Sequence, residues 1–192
     1  KHNGSGYRVW RTDIAGYIDA SKDGESAKKA LLRLSQPRPP FAGLDMMRPH
    51  IMGVLNVTPD SFSDGGQFSH TDQAVAHARQ MQADGASLLD IGGESTRPGA
   101  LAVGTETECA RILPVINTLM REGYLVSCDT RHSDVMRNAL GAGARIINDV
   151  SGFTSEGAEH VMAQAYKASP SAAFAIAMHM QGTPQTMQNN PS

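Results

Sequence analysis

The chain has 192 residues, of which 40% are hydrophobic, 19% charged and 5% aromatic, with 19 Gly and 10 Pro. This globular composition excludes a disordered tail, a collagen-like repeat and a coiled coil. The length suits one domain but lies below the ~200 residues at the lower end of a complete (β/α)8 barrel. The net charge of −2 is uneven: residues 1–48 carry nine Lys/Arg against five acids, whereas residues 49–192 carry eight against fourteen, with Lys167 as their single lysine.

The basic leader reads as a solvated surface, and its aromatics are too sparse for a nucleic-acid platform. Within it, Ser26 to Leu34 suits a short helix that Ser26 could cap. Gln36-Pro37-Arg38-Pro39-Pro40 cannot continue a helix and separates the leader from the rest of the chain. We therefore expect residues 1–48 to be an N-terminal extension and residues 49–192 to form the main domain.

From Pro49 onward, short apolar runs suited to buried strands recur at Ile51–Leu55, Ser87–Ile91, Leu125–Cys128, Arg145–Val150 and Phe174–Met178. Continuous apolar runs, as opposed to alternating ones, suit strands covered on both faces. Helical patterns lie between them at Thr71–Asp84, Glu106–Glu122, Ser133–Gly141 and Ser155–Ala168, with Thr71 and Ser133 as candidate N-caps. Gly85, Gly123 and Gly143 sit where helix-ending glycines are expected. The repeat is βα, hence a parallel sheet or barrel. Strand starts recur about every 31 residues, and eight such units need roughly 250 residues. Periodicity leaves open a five-stranded doubly wound sheet and a partial barrel.

Two cysteines, Cys109 and Cys128, lack metal-ligand spacing and read as free thiols in a reducing, cytoplasmic setting. The longest apolar run, Ala172 to Met178, is seven residues and cannot span a bilayer.

Ligands of parallel α/β folds bind at the carboxyl ends of the strands, and the polar residues of this chain gather there. Asp129 and Asn148 fall at equivalent heights on separate strands. A carboxylate accepts two N–H groups and an amide offers a donor and an acceptor, so the pair can read the edge of a flat heterocycle such as a pterin or purine. Asp129 reads equally as an N-cap, Asn148 as a buried amide, and Asp149 competes as the ligand-facing residue because neighbouring strand positions point oppositely. Arg97, held between Thr96 and Pro98, can grip a carboxylate or phosphate, or make a surface ion pair. Asn56 offers a neutral oxygen suited to Mg2+ bridging phosphates, or starts a turn. Asp60 and Asp64 occupy a loop that could close over a charged ligand. His179 reads as a supporting histidine more readily than as an acid or base. No Ser/His/Asp set, P-loop or zinc pattern emerges.

Five stretches together resemble dihydropteroate synthases of the pterin-binding enzyme family. They are Ile51 to Gly66 (IMGVLNVTPDSFSDGG), Asp90 to Ala100 (DIGGESTRPGA), Ser127-Cys128-Asp129-Thr130, Ile146 to Gly152 (IINDVSG) and Met178 to Pro184 (MHMQGTP). The resemblance covers residues 49–192, and the leader carries none of it. It implies a (β/α)8 TIM barrel, of which this chain holds about the first five βα units. It implies condensation of 6-hydroxymethyl-7,8-dihydropterin diphosphate with p-aminobenzoate, giving 7,8-dihydropteroate and diphosphate with the help of Mg2+. By the same likeness, Asp129 and Asn148 bind the pterin and Asn56 holds Mg2+ and diphosphate. Thr96, Arg97 and Pro98 shape the loop that meets p-aminobenzoate and diphosphate, the loop carrying Asp60 orders over the site, and Met178 lies among the substrate-binding residues. The partners implied are these small molecules, and a homodimer when the protein is full length. A further aspartate, a Ser-x-Lys segment and an Arg-x-His segment of the family are expected beyond Ser192, with three more βα units. Two other readings remain: a fragment without activity, and a pterin-binding barrel serving methyl transfer.

Overall fold

The computed structural model of the chain describes residues 24–58, 70–94 and 103–179. The chain divides into two compact units, Lys1–Pro39 and Pro40–Ser192. In the first, helix α1 (Gly24–Ser35) carries Glu25 in its opening turn and Arg33 in its last, the signs that favour the helix dipole. It begins two residues before the expected cap, so Ser26 lies inside the helix.

The second unit alternates strand and helix: β1 (Met52–Asn56), α2 (His70–Ala83), β2 (Leu88–Gly92), α3 (Thr105–Arg121), β3 (Val126–Asp129), α4 (Ser133–Gly141), β4 (Ile146–Asp149), α5 (Ala158–Ala168) and β5 (Phe174–Ala177). The strands form one parallel sheet in the order β1-β2-β3-β4-β5. A doubly wound sheet reverses its strand order and carries helices on both faces. Here the order never reverses and α2 to α5 all pack on one face. Ala74, Ala78, Ile112, Ile116, Leu119, Val135, Met136 and Val161 interlock there with Leu55, Leu89, Ile91, Val126, Cys128 and Ile147. The described strands are consecutive strands of a (β/α)8 barrel, which closes the choice that periodicity left open.

The opposite face is the barrel's inner face, and its amino-terminal end has its own small core. Ala42, Leu88 and Ile146 are buried there with Phe41, Leu44, Met52, Phe174 and Ile176 packed around them. The Phe41 and Phe174 rings meet edge to face, 5.2 Å between centroids. Residues 41–44, which precede the expected boundary at Pro49, thus close the base of the sheet.

The helix-ending glycines fall where expected. Gly85, Gly123 and Gly143 hold φ of 109°, 83° and 102°, left-handed values that a Cβ would strain. After each, the next N–H reaches back five residues: Ala86 to Met81 O, Tyr124 to Leu119 O and Ala144 to Ala139 O. This is the Schellman closure of a helix end. The helix starts differ from expectation: α2 begins at His70, so Thr71 lies inside it and does not cap it, and α3 begins at Thr105, one residue before Glu106. Ser133 is the first residue of α4, with His132 in the cap position. Helix α5 starts at Ala158 and not at Ser155, because Gly157 takes a left-handed φ of 77° just before it.

Candidate functional site

Parallel pairing fixes the height of each strand-end residue. Asn56 lies beside Gly92, Gly92 beside Asp129, and Asp129 beside Asn148. The four form one row across β1 to β4, and the pleat turns all of them to the inner face. Gly92 leaves the middle of this row without a side chain. A Cβ there would stand 3.5 Å from both Asn56 Oδ1 and Asp129 Oδ2. These are ordinary contact distances, and they show that the two oxygens flank the bare Gly92 backbone from neighbouring strands. The row is a shallow polar floor with a carboxylate near its centre.

One layer below lie Asp90 and Ser127, paired across β2 and β3. Asp90 is 2% exposed, and its Oδ2 accepts from Asn148 Nδ2 at 2.8 Å. Burial raises the Asp90 carboxyl, while the Ser127 hydroxyl and the Asn148 amide pull against that rise. Asp129 is pushed up to about 7, first by burial and then by the negative charges of Asp90, Glu108, Asp149 and Glu94. The site therefore carries a carboxyl whose charge changes near neutral pH.

Asp149 does not compete for the ligand. It points to the helix face, is fully buried, and accepts from Ser151 N (2.7 Å), Ser151 Oγ (2.8 Å) and Phe153 N (2.9 Å). It builds the turn after β4 and leaves Asn148 as the residue facing inward. The turn holds Phe153 at a φ of 64°. Met178, just past β5, donates its N–H to Asp149 O at 3.1 Å and keeps a partly exposed side chain. His179 beside it is exposed.

Behind the row, on the helix side, lies a charged cluster. Glu94 takes both arms of Arg131, Nε at 2.9 Å and one terminal nitrogen at 3.0 Å, and also the N–H of Val103 at 3.1 Å. Burial would raise the Glu94 carboxyl, but these donors hold it below the usual range. Arg131 is thereby committed to Glu94. Glu108 of α3 is fully buried beside Thr130 and is pushed up to about 7, mainly by burial. His132 Nε2 stands 3.8 Å from Glu94 and 4.0 Å from Glu108.

Of the expected site residues, Asn56, Asp129 and Asn148 come together in the row and Met178 sits at the end of the next strand. Asp60, Thr96, Arg97 and Pro98 lie outside the described residues, as does Asp64. Asp90, Glu94 and Glu108 join the site without having been among the expected residues. Asp90 had a signal, since it stands two residues before Gly92 and so shares its face. Glu108 had one too, because the apolar stripe Leu119, Ile116, Ile112 continued one turn back lands on it.

Among the described residues no group of three or more His, Cys, Asp or Glu side chains could hold a metal ion. Mg2+ seldom uses such cages and is commonly bound through one or two oxygen ligands plus substrate phosphates. The side-chain oxygen of Asn56, beside Gly92 at the strand end, fits that mode. No described helix is long and apolar enough to cross a membrane.

A singly wound parallel sheet with a polar row on its inner face, at the carboxyl ends of the strands, defines the ligand-binding barrel class. Residues 52–192 match the model of the pterin binding enzymes, and the chain belongs to that family. It is 44% identical over 149 residues to the dihydropteroate synthase of Escherichia coli K12, covering 77% of this chain and 51% of that protein. It is similar to the Xanthomonas albilineans dihydropteroate synthase solved with 4-aminobenzoic acid, at 46% identity and a TM-score of 0.69, over 77% of this chain and 53% of that one. It is also similar to the Burkholderia cenocepacia dihydropteroate synthase complexed with 7,8-dihydropteroate, at 43% identity and a TM-score of 0.62, over 76% of this chain and 46% of that one. The chain spans about half the length of these relatives.

Proposed function

We propose that the protein to which this chain belongs is a dihydropteroate synthase. It would join 6-hydroxymethyl-7,8-dihydropterin diphosphate to p-aminobenzoate and release 7,8-dihydropteroate and diphosphate. The observation that carries this reading is the Asn56–Gly92–Asp129–Asn148 row, a carboxylate and an amide at one height beside a bare glycine. In this reading Asp129 and Asn148 take the donor-rich edge of the pterin. Gly92 leaves room for the flat ring to approach the sheet. Asn56 would offer an oxygen to Mg2+, which when bound would supply leaving-group stabilisation for the diphosphate.

Loss of diphosphate from the methylene carbon leaves positive charge on a carbon attached to the electron-rich pterin, and the neutral arylamine then forms the new C–N bond. Such chemistry needs leaving-group stabilisation and exclusion of water more than a strong base. Thr96, Arg97 and Pro98 would shape the loop over p-aminobenzoate and diphosphate, Asp60 would lie in a covering loop, and Met178 would border the substrate. Residues 49–192 would be the N-terminal part of the pterin-binding barrel and residues 1–48 an extension of it. The protein would act in the cytoplasm and pair as a homodimer when full length.

The test is direct. Protein expressed from the whole reading frame that encodes this chain is given the pterin diphosphate, p-aminobenzoate and Mg2+. Release of 7,8-dihydropteroate and diphosphate is expected. Folded protein that yields neither product would refute the reading.

A further inference from the structure

We propose that Asp90 is a positioning residue for the pterin site, acting through Asn148: buried beneath the row, it captures the amide nitrogen and turns the amide oxygen toward the ligand. This rests on the pterin reading above and adds a residue and a direction to it.

A carboxamide is ambiguous by itself. It can rotate by half a turn and exchange its donor for its acceptor at almost no cost unless a neighbour decides. Among the described residues, the side-chain hydrogen bond of Asn148 is the one to Asp90. Asp90 Oδ2 receives Asn148 Nδ2 at 2.8 Å. A carboxylate is an acceptor, so it binds the nitrogen and refuses the oxygen. An asparagine, serine or threonine at position 90 would accept either orientation.

Placement makes the choice firm. Asp90 is 2% exposed and sits in β2, one of the most buried strands, with Ser127 beside it on β3. It cannot swing out to solvent. Keeping a carboxyl group there costs folding energy, and an apolar residue would fill the same layer without that cost.

The consequence is a polarity for the site. With Asn148 nitrogen committed downward, its oxygen and the two oxygens of Asp129 form an array of acceptors along adjacent strands. Such an array selects a heterocycle edge rich in N–H donors and rejects one that offers carbonyl oxygens. The chemical class recognised is therefore an aminopyrimidine-type edge.

The experiment compares the full-length unsubstituted protein with D90N, N148A and the D90N/N148A double variant. Binding of 6-hydroxymethylpterin is measured by calorimetry and unfolding by a thermal scan. D90N keeps the size of the side chain but loses its one-sided preference. Its pterin affinity is expected to fall about tenfold, the scale of one hydrogen bond made to a charged group, while its Tm holds or rises. In the N148A background D90N is expected to have no further effect on affinity, because the two act as one unit. Additive losses, or an affinity loss that follows a falling Tm, would overturn the proposal and assign Asp90 a packing role. Should the unsubstituted protein fail to bind pterin, the functional reading falls with it. The Asn148 side-chain amide resonances then still test the orientation: one fixed pair of signals that D90N broadens supports it, and unchanged signals refute it.

Discussion

At the scale of the residue, Asp129 governs how the site responds to pH. To accept N–H groups from a heterocycle it must be ionised, and its carboxyl is pushed up to about 7. Ligand affinity is expected to fall as pH drops through about 7, and pterin titrations between pH 5.5 and 8.5 read this directly. D129N, which loses the charge, should bind pterin at least about tenfold more weakly at pH 8 and lose most of the pH dependence. Stability moves the other way. Asp129 and Glu108 hold their protons more tightly folded than unfolded, so the folded chain binds more protons between about pH 4 and 7. Folding is therefore most favoured at the acid end of that window and weakens as pH rises through about 7. E108Q mimics the neutral form and should raise Tm at pH 8 while leaving it nearly unchanged at pH 5. For a chain of this size each kcal/mol gained is worth about 2–4 °C. A Tm lowered at both pH values would show instead that Glu108 acts mainly as a partner of Arg131 and His132.

At the scale of the element, close approach matters more than propensity. Helix α3 keeps Pro114 in its interior, where a proline normally costs about 3 kcal/mol. The helix persists because Ile112, Val115, Ile116 and Leu119 are fully buried against the sheet. Its first turns lie directly on the end of β2. A Cβ at Gly93 would stand 2.8 Å from Ile112 Cγ2, 3.0 Å from Glu108 Cγ and 3.2 Å from Glu108 O. Arg111 also donates to Gly93 O at 2.7 Å. G93A should therefore cost about 1–3 kcal/mol in denaturant unfolding. It should also weaken pterin binding, since β2 would be lifted where Gly92 joins the row. An alanine tolerated without loss of stability would mean that α3 can retreat freely.

At the scale of the whole molecule, the described sheet is an open arc. Strands β1 and β5 each pair on one side only among the described residues. Ile51 is 63% exposed and Val54 52%, and Ala175 and Ala177 of β5 are exposed as well. Unpaired strand edges beside apolar surface invite association. Residues 1–192 expressed on their own should self-associate at micromolar concentration in light scattering, and added charge in I51K and V54K should reduce it. A monodisperse monomer of the unsubstituted chain would contradict this.

Much of this was legible in the sequence, for physical reasons that can be named. The short continuous apolar runs, the helical patterns between them, the three glycines at helix ends and the polar residues after each apolar run are local signals. They determined the βα repeat, the strand-end location of the site and the candidates Asn56, Asp129 and Asn148. The motif likeness added the family. Tertiary structure alone decided the rest, because strand order and register depend on contacts between residues far apart in the chain. Register put Asn148 and not Asp149 in the row and brought Asp90 under it across 58 positions. Packing put α2 to α5 on one face and so made the described sheet singly wound. Burial, which no sequence position carries by itself, raised Asp129 and Glu108 toward neutral pH and tied Arg131 to Glu94.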